Sequence, residues 1–172
     1  MGLFTSSTAL NSFDDLFEEQ LQDLYDAEQR LTKALPKMAA AAHNSALKSA
    51  FEEHLRQTEN QVKRLEKVFQ SIGKSAKTKT CAAMKGLVEE GSEVIGGNGD
   101  PHVKDAALIA AAQRVEHYEI AGYGSARTFA QHLGKHEAAR LLQETLNEEA
   151  ETDKKLTGLA EKTINPRAAA MA

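Results

Sequence analysis

The chain has one cysteine, three prolines and no tryptophan, and aromatic residues make up only 5% of its 172 positions. The single thiol, Cys81, excludes an intrachain disulfide and a cysteine-rich metal site, and it suits a reducing compartment. With few aromatics and with Ala, Leu, Glu, Lys and Gln recurring throughout, the composition is that of helices rather than pleated strands. There is no basic excess: 21 Lys and Arg are interspersed among 25 Asp and Glu, for a formal net charge of -4. Nothing in that balance would neutralise a phosphate backbone or an anionic membrane surface, so neither nucleic acid nor membrane is an expected partner. No apolar run approaches the length of a membrane span, and "MGLFTSSTAL" lacks the basic start and long apolar stretch of a secretory signal, so a cytoplasmic location is expected. The same ten residues match an M-G-x-x-x-[ST] acylation pattern. It is a short pattern with no basic cluster beside it, and it carries little weight.

What is present is helical periodicity. At 41% hydrophobic and 27% charged, the chain supports one core and one domain over residues 1–172. Four long segments are expected as helices, at about 12–42, 45–72, 101–133 and 135–164, with a crossover at 73–100 and a mobile tail at 166–172. The first opens at Ser12 and carries Phe17, Leu21, Leu24, Leu31, Leu35 and Met38 on one stripe. Pro36, inside it, should bend it. Asp100 and Pro101 form a cap and first-turn pair for the third segment, Gly134 is a stop, and Pro166 ends the fourth. Within the crossover, Cys81 to Ile95 reads as one short helix. Short connection, long crossover, short connection predicts an all-α, ferritin-like four-helix bundle whose crossover contains a short fifth helix.

Several stripes are interrupted by polar residues near their midpoints. Glu28 sits on the first, His54 with Thr58 and Gln61 on the second, Glu116 and Glu119 on the third, and Glu149 on the fourth. Glu116 and Glu119 lie one turn apart on one side of their helix. Every long segment therefore contributes at least one candidate ligand to a common level. Carboxylates sharing a low-dielectric interior must protonate, pair with Arg or Lys, or bind cations. A pair of divalent metal ions answers that charge most directly, and Asp153, near Glu149, is a further candidate ligand.

The stretches "DLYDAEQRLTKALPKMA", "FEEHLRQTENQVKRLEKVF", "AQRVEHYEIAGYGSARTFAQHLG" and "LLQETLNEEAETDKKL" resemble the YciE/YciF-type stress proteins, a ferritin-like family, over nearly the whole chain. The resemblance implies a helical homodimer linked to bacterial stress responses, and a topology similar to rubrerythrin and other di-iron proteins. It brings no settled activity. Residue by residue, Glu116 and Glu119 resemble the paired glutamates of the third rubrerythrin helix, and Glu28 resembles the ligand of the first. The usual Glu-x-x-His pairs are not matched: Thr58 and Gln61 stand at the second-helix positions, and Thr152 follows Glu149 where His belongs.

Two readings follow. One is a ferritin-like protein binding two divalent ions, iron first with manganese or zinc as alternatives, with peroxide or oxygen as a small oxidant substrate. The other is a non-catalytic dimeric structural or interaction protein with a degenerate metal site. His54 alone is more often a hydrogen-bonded core histidine than a ligand, and Glu28, Glu116 and Glu119 have Arg30, Arg114 and Arg127 as alternative partners. Glu148 is expected at the rim, His117, His132 and His136 at the surface or behind the ligands, and Tyr118 and Tyr123 as packing groups with a hydrogen-bonding tip.

Overall fold

The computed structural model describes residues 10–171, and every regular element among them is helical. Residues 1–9, with the acylation pattern, lie outside the described residues. Helix α1 (Phe13–Ala41) starts where Ser12 is extended and its side chain accepts from the Asp15 N–H at 3.0 Å, with Asp14 and Asp15 at the positive end of the helix dipole. It continues through Pro36, which lies on the exposed face. Helix α2 (Ser45–Ser71) is capped by Asn44, which accepts from the Ala46 and Leu47 N–H groups. Just past its end Gly73, with a φ of 72°, lets the Lys74 N–H reach back to the Phe69 carbonyl at 2.9 Å.

The crossover holds one short helix, α3 (Ala82–Gly96). Asp100 then caps α4 (Pro101–His132), accepting from the His102 N–H at 2.8 Å, with Pro101 at the position where no backbone donor is needed. Gly134, with φ 67°, makes the turn into α5 (His136–Leu159). Pro166 does not end the helical path. A π-helical turn at Ala160–Ile164 leads into α6 (Asn165–Ala169), and Pro166 sits in the first turn of α6, so the tail beyond it is helical as far as Ala169.

Contacts across the bundle fix its topology. Phe13 meets Phe129 and Tyr118 donates to Asp23, so α1 and α4 are antiparallel. Arg64 meets Thr145 and Lys155 meets Glu53, so α2 and α5 are antiparallel. With short turns joining α1 to α2 and α4 to α5, α2 and α4 point one way while α1 and α5 point the other. The long crossover permits this order, and α3 lies across α1 and α4. The result is an all-α, ferritin-like four-helix bundle with a short helix in its crossover. No helix among the described residues is long and apolar enough to cross a membrane.

The core is not continuous along the bundle. One apolar cluster, around Leu31, Leu35, Phe51 and Leu108, fills one end, and a second, around Phe17, Leu24, Phe69 and Tyr123, fills the other. Between them lies a layer of buried polar side chains that includes Glu28, His54, Thr58, Gln61, Glu116, Glu119 and Glu149. One further buried acid lies elsewhere: Asp105 of α4 accepts from the His43 and Asn44 N–H groups, each at 2.8 Å, and so ties α4 to the α1–α2 turn.

Candidate metal centre

Each helix turns a polar residue into the layer because that residue occupies a stripe that is otherwise apolar. From α2, α4 and α5, the ligand atoms of His54, Glu116, Glu119 and Glu149 lie within 4.8 Å of one another, and all four side chains are buried. His54 Nε2 stands 3.3 Å from Glu116 Oε1 and 3.9 Å from Glu149 Oε2. Glu28, from α1, faces the same group, and the fully buried Tyr123 hydroxyl donates to its Oε1.

Burial dominates the electrostatics. It pushes the Glu28 carboxyl up to about 7, although Tyr123 and His54 pull the other way. Burial also holds Glu119 and Glu149 well above the usual carboxylate range, reinforced at Glu119 by Glu28 and Glu149 and at Glu149 by Glu116. For His54, burial alone would depress the imidazole, but the neighbouring Glu116 and Glu28 carboxylates reverse that and raise it.

No Arg or Lys of the described residues neutralises this charge. Among the described residues, Arg30 pairs with Asp26 at 2.6 Å, Arg127 donates to Gln143 at 2.8 Å, and Arg114 is exposed, so the alternative partners do not reach the layer. Glu28 Oε2, Glu116 Oε2, both Glu119 oxygens, Glu149 Oε2 and both His54 ring nitrogens are buried without a hydrogen-bond partner. Such unpartnered polar atoms are costly in a dry interior. Two donors on opposite sides of a divalent ion stand about 4.2 Å apart when each bond is about 2.1 Å. The observed spread is therefore close to what one ion requires, and carboxylates with an imidazole suit iron, manganese or zinc.

Asp153 is not drawn into the cluster. It accepts from Gln113 at 2.9 Å and lies 3.4 Å from the exposed His117. Glu148, adjacent in sequence to Glu149, points to the rim and forms a two-pronged pair with Arg64, both hydrogen bonds at 2.8 Å. Gln61 donates to Glu148 at 3.0 Å and also to Glu149 Oε1, so an amide links the rim pair to the interior carboxylate. Its function as this link was not legible from its position on a stripe, because its partners are 87 and 88 residues away. Tyr123 carried a weak signal: it lies one turn beyond Glu119, on the side that faces the layer.

Comparison with known proteins places this geometry in a family. Protein YciF of Escherichia coli (strain K12) is 48% identical over 160 residues, covering 92% of this chain and 96% of that protein. The crystal structure of the E. coli stress protein YciF superposes with a TM-score of 0.87 at 49% identity, covering 90% of this chain and 98% of that one. YcfI from Rhodopseudomonas palustris, described as a candidate structural protein, gives a TM-score of 0.84 at 41% identity, covering 90% of this chain and 97% of that one. The family model described as a domain of unknown function (DUF892) matches residues 12–169, and the chain belongs to that family, with YciF among its relatives.

Proposed function

We propose that the polar layer is a dinuclear divalent metal centre, with iron as its first occupant, serving oxidant or iron handling under stress. The observation that carries this reading is the convergence of His54, Glu116, Glu119 and Glu149 with buried, unpartnered oxygens and no Arg or Lys among them. Glu28 adds a fourth carboxylate, and two divalent cations would offset four negative charges. When bound, such ions polarise a small oxygen species at an open coordination position. The protein's own contribution is to hold Glu28 through the Tyr123 hydroxyl, to fix Glu149 through Gln61, and to keep bulk water out with the two apolar clusters. The reading includes a cytoplasmic homodimer, whose stoichiometry sedimentation would measure.

The test is metal analysis of freshly purified, untagged protein that has met no chelator. About two metals per chain are expected, with loss in Glu116→Ala and Glu28→Ala and retention in Glu148→Ala. If no metal binds even after anaerobic incubation with iron or manganese, the structural reading takes its place. That alternative draws on the description of the R. palustris relative as structural and on Gln61 and Thr152 standing where ligands would be.

A further inference from the structure

The crossover helix does not close flat on the bundle. Between α3 and the pair α1 and α4 lies a cavity of about 260 Å³, separate from the carboxylate layer. Its walls include Leu31 and Met38 from α1, Leu87 and Ile95 from α3, and Val115 from α4. Gly91 of α3 is buried and lines this space, yet a Cβ built on it meets no atom within 4 Å. Glycine is an unfavourable choice in a helix interior, and here it leaves the space unfilled.

The mouth of the cavity is cationic. Arg30, Lys33 and Lys37 follow one face of α1. Asp26 pairs with Arg30 at 2.6 Å, and Glu89 of α3 also acts on it. Lys33 and Lys37 are exposed and have no ion-pair partner among the described residues. Three bases against the two acids Asp26 and Glu89 leave this a locally positive site on a chain whose net charge is -4. Apolar walls beneath a cationic mouth select an amphipathic anion. The volume falls just below the range of about 300–1,000 Å³ common for drug-sized ligands, which fits one short aliphatic chain better than a sterol or a two-chain lipid.

We propose that the cavity between α1, α3 and α4 binds a medium-chain aliphatic carboxylate, its head held by Lys33 and Lys37 and its chain lying against Leu31, Leu87 and Val115. The site shares no residue with the metal centre and does not depend on it.

Calorimetric titration of the full chain with sodium octanoate tests this. Saturable binding of one octanoate per chain is expected, weakened at least about tenfold by the double charge reversal Lys33→Glu with Lys37→Glu. Both positions are exposed, so the fold should be kept, and circular dichroism checks it. Gly91→Leu, a helix-favouring change that fills the space, should remove binding. Butyrate, which keeps the head and lacks the chain, and 1-octanol, which keeps the chain and lacks the charge, should each bind at least about tenfold more weakly. The proposal is overturned by the absence of saturable binding, by equal affinity in the charge-reversed and cavity-filled variants, or by 1-octanol matching octanoate. It is also overturned if a second copy covers the mouth, which would shield Lys33 and Lys37 from amine labelling with or without octanoate.

Discussion

At the residue scale, the interior carboxylates are a burden on the metal-free protein, and the burden has a sign that can be measured. Glu28 titrates near 7 in the folded chain against 4.5 in the unfolded one. Between those values the folded state holds a proton that the unfolded state has released, so stability falls as pH rises through that window. That shift corresponds to something on the order of 3 kcal/mol at about 1.4 kcal/mol per unit, shared between Glu28 and the carboxylates around it. Glu119 and Glu149, also raised, act in the same direction. His54 does too, because a raised imidazole stabilises below its unfolded value of 6.5 and loses that contribution as pH climbs through the folded one. Metal-free protein should therefore melt lower at pH 8 than at pH 5, and Glu119→Gln should raise the melting temperature at pH 8 while flattening the slope. Thermal scans of chelator-treated protein across that range decide it, and a rising profile would contradict the described burial.

At the element scale, local signals were legible where the interaction closes within a turn. The Ser12, Asn44 and Asp100 caps each bind N–H groups two or three residues away. Asp105 was missed because the N–H groups it accepts from lie 62 and 61 residues distant, and nothing beside it in sequence marks it. Asp105→Ala strands both of those donors and should cost roughly 2–4 kcal/mol in urea unfolding. Two glycines predict opposite outcomes for the same change. Gly134 holds φ 67° at the end of α4, so Gly134→Ala should destabilise by about 1 kcal/mol. Gly91 is helical with open space at its Cβ, so Gly91→Ala should stabilise by about 1 kcal/mol. A common sign for the two would refute the backbone argument.

At the scale of the whole molecule, two apolar clusters hold the bundle at its ends and leave its middle to the polar layer. Stability should then respond to whatever neutralises that layer. An ion at 100 times its dissociation constant adds about 2.7 kcal/mol, which for a chain of this length corresponds to roughly 5–10 °C in melting temperature. Chelation should lower the melting temperature by that amount, and resupply of iron or manganese should restore it. In the Glu116→Ala protein neither treatment should move it. An equal response in that variant would place the metal elsewhere.

The helical class, the order of short and long connections, and the level at which Glu28, His54, Glu116, Glu119 and Glu149 interrupt their stripes were determined by the sequence alone. All of these follow from a repeat of 3.6 residues per turn, a property of neighbouring positions. Only the tertiary structure decided which of those side chains meet. It gathered His54 with Glu116, Glu119 and Glu149, left Asp153 with Gln113 and His117, and set Gln61 between Glu148 and Glu149. Periodicity assigns a residue to a face, whereas helix register and rotation assign its partner, and those come from the packing of the two apolar clusters along the full length of the bundle.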